Sequence, residues 1–156
     1  MGDRTAIEWT QGPDGSLGAT WNPIRGTKGN WSCVKISEGC QSCYAERFNV
    51  RQGGPEYKGG ADTLRLDEMI LIQPLRWTRP RRIFVASMTD LFEERVPDEW
   101  IDRVFAVMAL AFQHTFQVLT KRAERMQTYV ASLTFERVRI WMNRAADGQE
   151  PRVGFP

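Results

Sequence analysis

The sequence predicts an α/β fold built on a parallel sheet. Two runs rich in β-branched and aromatic residues, 82–87 and 114–120, are each followed by a segment with helical spacing, and a third run near 19–24 precedes them. A polar or cysteine-bearing loop follows all three. Strands alternating with helices in this way are the mark of βαβ units, because a parallel neighbour is reached only through a crossover.

Residues 1–60 are rich in Gly, Trp and Pro, as in GPDGSLG and WNPIRGTKGN, a composition of turns and loops. The first strand is expected near Ala19 to Ile24. A helix is expected from about Gln41 to Val50, where Tyr44, Ala45 and Phe48 fall at helical spacing before Gly53 and Gly54 end the run. Arg82 to Ser87 reads as a buried parallel strand, stopped by the polar turn Met88-Thr89-Asp90. Val96-Pro97-Asp98-Glu99 then supplies a proline and acidic residues at a helix start. Ile101, Val104, Phe105, Met108, Ala111 and Phe112 repeat at i, i+3, i+4, i+7, which predicts a helix over about 98–112. His114 to Thr120 is the last strand, and after Lys121-Arg122 a helix is expected over about 123–130. Beyond Leu133 one further helix and a Gly/Pro-rich tail are expected.

At 156 residues, 42% hydrophobic, the chain fits one domain over 1–156. Within it, 1–60 is a loop-rich cysteine segment, 61–133 the regular βα units and 134–156 a C-terminal helix and tail. A net charge of +2, with both signs well mixed, gives no argument for bulk nucleic-acid binding. No apolar run approaches the ~20 residues of a bilayer span, and MGDRTAIEW lacks a signal-peptide core, so a cytoplasmic protein with no membrane partner is expected.

The three cysteines lie within eleven residues, spaced Cys33-x6-Cys40-x2-Cys43, with Gly39 freeing the backbone to turn the thiols inward. An odd, clustered set is unlike a secreted disulfide framework and directs attention to metal or redox chemistry. Three thiolates can hold zinc if a fourth ligand arrives, or three irons of a 4Fe-4S cluster with the last iron open. Spacing alone does not separate iron from zinc. The single histidine, His114, begins a predicted strand and is expected at the far end from the cysteine loop.

Several motifs occur in order along the chain: Ile7-Glu-Trp-Thr10, Thr20-Trp-Asn-Pro23, the cysteine motif running on through Tyr44-Ala-Glu-Arg-Phe48, Arg79-Pro-Arg-Arg-Ile-Phe-Val85, Ser87-Met-Thr-Asp-Leu-Phe92, Val96-Pro97 and His114-Thr-Phe-Gln-Val-Leu-Thr-Lys-Arg122. Together they resemble a phage-derived family of three-cysteine proteins of unknown function whose members look like radical S-adenosylmethionine enzymes. The resemblance implies a partial TIM-type barrel of about three βα units. It also implies a 4Fe-4S cluster on Cys33, Cys40 and Cys43, with S-adenosylmethionine chelating the fourth iron. In that chemistry a reduced cluster cleaves the sulfonium, and the resulting 5′-deoxyadenosyl radical abstracts a hydrogen atom from substrate. By position, Ser87 to Asp90 fall where such enzymes contact the cofactor's amino group, with Asp90 as the carboxylate. Lys121 or Arg122 falls where its carboxylate is met, and Tyr44 could pack on its adenine.

The chain departs from that pattern in two respects. Its spacing is not C-x3-C-x2-C, and Gln41-Ser42 places no aromatic just before the last cysteine. The family as resembled also continues through further βα units, so the chain reads as a shortened form. The rival readings are a zinc- or cluster-bound module acting with a protein or nucleic-acid partner, and an inactive remnant. Three units cannot close a barrel, which leaves a sheet edge for a protein partner to cover. Arg76-Trp77-Thr78-Arg79-Pro80-Arg81-Arg82 is the one basic cluster with an aromatic, but it precedes its strand and is expected on the face opposite the cysteines. Trp9, Trp21 and Trp31 are read as core or lid packing. Glu93 and Glu94 are read as acidic residues suited to a following helix start.

Overall fold

The structure, a computed structural model, describes residues 4–12, 14–27, 29–58 and 63–147. In chain order the elements are β1 (Ala19–Trp21), β2 (Ile24–Gly26), α1 (Tyr44–Arg51), β3 (Leu64–Leu66), α2 (Glu68–Leu71), β4 (Arg82–Val85), α3 (Asp98–Leu110), β5 (Thr115–Val118), α4 (Ala123–Ser132) and α5 (Phe135–Asp147). Short 3-10 turns occur at Glu8–Thr10, Glu38–Cys40 and Gln73–Arg76.

The main sheet is parallel, in the order β1-β4-β5. Side chains alternate across it. The cross-strand rows Ala19–Ile83–Phe116 and Trp21–Val85–Val118 face the helices and pack with Ile101, Val104 and Val107 of α3 and Tyr129 of α4 in one apolar core. Trp21 is fully buried there and donates its indole N–H to the Ile70 carbonyl at 2.8 Å. The intervening row, Thr20–Phe84–Gln117, belongs to the other face, which the N-terminal segment covers. Trp9 packs on Phe84, and Gln117 Nε2 donates to the Trp9 carbonyl at 3.3 Å. Arg82 Nη1 donates to the Gln11 carbonyl at 3.1 Å, and Thr5 bridges to Gly18.

Helix α3 follows the predicted stripe, and α5 runs along it. The two are tied through buried Asp102, whose Oδ1 accepts from the Tyr129 hydroxyl of α4 at 2.7 Å and from Arg137 Nη2 of α5 at 2.8 Å.

The α/β class and the parallel sheet are therefore as expected, while several details differ. Among the described residues the parallel strands form an open three-stranded sheet, with no closed barrel. The strand expected over 19–24 stops at Trp21. Pro23 lacks the N–H a ladder requires, and the chain turns away so that β2 pairs antiparallel with β3 in a separate ribbon. That ribbon and α2 were not anticipated; three- and four-residue elements are too short to show a period. Helix α1 starts at Tyr44 rather than Gln41, because Cys43 is extended and Cys40 before it ends a 3-10 turn. Helix α3 ends at Leu110, so Phe112, expected on its apolar stripe, is 74% exposed. The last helix is present as α5, and the tail at 148–156 lies outside the described residues.

Candidate functional site

The connections that leave the carboxyl ends of β1, β4 and β5 meet at one cavity of about 380 Å³. Cys33, Cys40 and Cys43 line it from the first connection, Ser87 and Asp90 from the second, and Lys121 from the third. This is where an open parallel sheet gathers loops, since successive strands point the same way.

Each loop is held by specific contacts. After β4 the backbone turns sharply at Ala86, whose φ of 52° lies in the left-handed region that non-glycine residues rarely adopt. Asn22, just after β1, fixes the next turn: its Oδ1 accepts from the Ser87 hydroxyl at 3.2 Å and the Met88 N–H at 2.9 Å. The cysteine segment then clasps the same loop. Tyr57 donates its hydroxyl to the Met88 carbonyl at 2.7 Å, Tyr44 donates to the Ser87 carbonyl at 2.8 Å, and Thr89 donates to the Ser32 carbonyl at 3.2 Å. Burial pushes the Tyr57 hydroxyl well above its ordinary value, and negative charge on Cys33 and Cys43 acts the same way, so it serves as a donor. Behind the cysteines, fully buried Asn49 of α1 accepts from the Trp31 N–H at 3.1 Å and donates to the Trp31 and Pro55 carbonyls at 2.9 and 2.8 Å. Gly54 packs so closely on this amide that a Cβ there would lie 2.4 Å from Asn49 Oδ1.

Asp90 joins the second and third connections. Its Oδ1 accepts from the Thr120 hydroxyl at 2.7 Å and the Phe92 N–H at 2.9 Å, and its Oδ2 accepts from the Lys121 N–H at 3.0 Å and Arg122 Nη1 at 3.2 Å. Four donors occupy both oxygens, which places Asp90 as a brace between loops rather than as a free carboxylate for an amino group. Arg122 is likewise engaged, with Nε on Glu94 at 2.9 Å and Nη2 on the Val34 carbonyl at 3.0 Å. Lys121 differs: its ammonium extends to the Ser37 hydroxyl at 3.5 Å, beside Gly39, where a Cβ would lie 2.7 Å from Nζ.

All three cysteines are free thiols. Burial raises the Cys33 thiol above its ordinary value, against the opposing pull of a backbone hydrogen bond from Asp90 and of the Arg122 charge, with the carboxylate charges of Asp90 and Glu93 adding smaller upward effects. Cys40 moves the other way. Its slight burial acts upward but is outweighed by hydrogen bonds from Ser37 and the local backbone and by the Lys121 charge, so its thiolate is favoured. Among the described residues no three His, Cys, Asp or Glu side chains converge tightly enough to hold a single metal ion.

A family model described as "Protein of unknown function (DUF5131)" matches residues 4–152. The chain belongs to this family. No curated protein and no solved structure matches it. Every cavity residue of this DUF5131 protein named above lies inside the matched span.

The structure brings all the sequence-predicted site residues of the DUF5131 chain together: the three cysteines, Tyr44, Ser87, Asp90 and Lys121 line the one cavity. The basic cluster lies elsewhere, as expected, with Arg79, Arg81 and Arg82 around a depression at the amino ends of the strands. His114 is buried against Trp77 and Phe116, with Nε2 3.0 Å from the Pro74 carbonyl. Glu93 is fully buried and paired with Arg95 at 2.8 Å, so it is not a surface acid at a helix start. Trp21 and Trp31 are core residues, but Trp9 is 51% exposed and lines the cavity. Sequence reasoning passed over Asn22 and Tyr57 as well. Asn22 was visible within the Thr20-Trp-Asn-Pro23 motif, whereas Tyr57 lay in a Gly-rich stretch with no pattern to mark it. Among the described residues no helix is long and apolar enough to cross a membrane.

Proposed function

We propose that this protein is an iron–sulfur protein of the radical S-adenosylmethionine type on a partial-barrel scaffold, with Cys33, Cys40 and Cys43 as the ligands of a 4Fe-4S cluster. The observation that carries the reading is that three free thiols share one cavity with the ends of three parallel strands. The donor set fits such a group. Each thiolate of a cluster holds its own iron, so the sulfurs stand further apart than around one zinc ion, and a cluster needs no single point of convergence. When bound, the cluster and S-adenosylmethionine supply one-electron cleavage of the sulfonium and hydrogen-atom abstraction.

The chain's own residues have distinct tasks in this reading. Ser37 and Lys121 favour the thiolate of Cys40. Lys121 offers the cation for a cofactor carboxylate, Ser87 and Tyr44 form the wall beside it, and Asp90 and Arg122 hold that wall in place. Anaerobic reconstitution with iron and sulfide, followed by absorption and spin-resonance spectra with and without S-adenosylmethionine, tests the proposal. Uptake of about four irons per chain and a spectrum that shifts with S-adenosylmethionine are expected. Retention of zinc with no cluster would overturn it and favour a metal-bound module acting with a partner.

A further inference from the structure

We infer that the arginine-lined depression at the amino ends of the strands binds the phosphate backbone of a single-stranded nucleic acid, with the Phe112 ring against a neighbouring base. The site is separate from the cysteine cavity and does not depend on the cluster reading. Thr115, which begins β5, lines the depression, whereas Leu119, just past the end of that strand, lines the cavity.

The net charge of +2 conceals a local excess. Arg79, Arg81 and Arg82 line a depression of about 650 Å³ in which, among the described residues, Asp14 is the one carboxylate. Asp14 is itself engaged, its Oδ1 accepting the Ser16 N–H at 3.0 Å and the Ser16 hydroxyl at 2.6 Å. Elsewhere arginines meet carboxylates, as Arg65 does Asp67, Arg125 Asp98 and Arg137 Asp102. Arg79 and Arg82 are exposed, and among the described residues neither has a carboxylate within ion-pair reach. The bond from Arg82 Nη1 to the Gln11 carbonyl orients that guanidinium without cancelling its charge.

The wall is built before any ligand arrives. The Arg81 guanidinium lies over the Trp77 ring, 4.7 Å from its centroid, and Trp77 in turn meets buried His114 edge to face. Gln113 Nε2 donates to the Trp77 carbonyl at 3.2 Å, and the Thr115 N–H donates to the Arg81 carbonyl at 2.8 Å. A surface fixed in this way loses little freedom on binding. Each guanidinium fork can donate to two oxygens of one phosphate, which suits it to this anion better than an ammonium. Phe112, the residue before Gln113, adds a ring left open to solvent. Cations beside an open ring match a single strand, where unstacked bases alternate with phosphates. A duplex keeps its bases stacked inside, and acidic side chains offer no flat face to the ring.

Fluorescence anisotropy of the full chain, without added metal, against labelled oligothymidylate and oligouridylate of about twelve nucleotides tests the inference. At least one should bind saturably, with a Kd no weaker than about 100 μM near physiological salt. The logarithm of the binding constant should fall with that of the salt concentration at a slope of about −1.4 to −2.1, as for two or three neutralised phosphates. Arg79→Gln and Arg82→Gln should each weaken binding about five-fold at low salt and flatten the slope by about 0.7, whereas Arg79→Lys should keep the slope. Phe112→Ser should weaken binding about five-fold or more with the slope unchanged. Arg51→Gln makes the same charge change on α1 and should bind like wild type. Wild-type melting temperatures for these variants would show that folding is unaffected. No saturable binding of either strand up to about 1 mM, or an equal loss in Arg51→Gln and Arg79→Gln, would overturn the inference. Displacement of the strand by polyglutamate of equal charge, or Phe112→Ser binding as tightly as wild type, would overturn it in favour of an acidic protein surface.

Discussion

Asp90 accepts the Thr120 hydroxyl at 2.7 Å, and this contact joins the loop after β4 to the loop after β5 across the floor of the cavity. The same carboxylate neutralises Arg122, whose side chain is only 4% exposed. Replacing Asp90 by Ala leaves that guanidinium short of a partner and frees both loops. Breaking a buried pair in this way costs about 3 kcal/mol. Urea unfolding of Asp90→Ala should show a loss of that size, and a loss under about 1 kcal/mol would mean that other contacts hold the loops.

The two basic residues after β5 should behave differently. Arg122 is buried and bonded to Asp90, Glu94 and the Val34 carbonyl, so Arg122→Ala should destabilise the fold by about 3 kcal/mol. Lys121 is exposed, and Lys121→Ala should change stability by less than about 0.5 kcal/mol. Parallel denaturation curves of the two variants check this, and equal losses would refute the division of roles.

Asn49 is the inner support of the cysteine segment. Asn49→Ala removes the partners of three backbone groups at once, which should cost about 3 kcal/mol or more. Gly54→Ala should act at the same point by driving a methyl group into that amide. Thermal unfolding should fall for both variants, and an unchanged midpoint for Gly54→Ala would show that Asn49 has room to yield.

Acidification should reveal Glu46 of α1. Its carboxyl is held below the ordinary value of 4.5, chiefly by Lys35 at 2.6 Å, with the Tyr57 N–H adding to the effect against burial. The unfolded chain then binds the proton more tightly than the folded one. The contribution is complete above the ordinary value and is lost as pH falls through the lower folded value. In unfolding curves recorded from neutral pH down to about pH 3, Glu46→Gln should be less stable than wild type at neutral pH, and the gap should close at the acid end. A constant gap would exclude Glu46 as a source of acid sensitivity.

Each of Cys33→Ala, Cys40→Ala and Cys43→Ala should abolish the visible absorption expected after reconstitution with iron and sulfide. Full iron uptake by any one of them would remove that cysteine from the ligand set.

The parallel sheet and α3 were legible because their residues carry a period: Ile83 and Val85 in a β-rich run, Ile101, Val104 and Met108 along one stripe. The gathering of the cysteines with Ser87, Asp90 and Lys121 was legible from topology, since each follows a strand of one parallel sheet. The β2–β3 ribbon was not, because three-residue strands pair through tertiary contact rather than pattern. Nor did the sequence reveal that Asp90 is saturated by four donors, or that Trp9 lies at the cavity mouth while Trp21 and Trp31 are buried. Those distinctions depend on partners distant along the chain, such as Thr120 for Asp90 and Gln117 for Trp9.

The pairing of β1 with β4 places all three cysteines and α1 within the connection of residues 22–81. Pairing these strands closes a long loop, and the entropy lost in closing it must be met before the sheet gains anything in return. The cavity is formed where that connection meets the loops after β4 and β5, so it is assembled in the slow, non-local step of folding and not beforehand. Contacts that hold the cysteine segment to those loops, such as Tyr57 to Met88 and Thr89 to Ser32, also resist reopening of the connection. A ligand that bridged the segment and the later loops would therefore slow unfolding by the same route as it occupied the cavity.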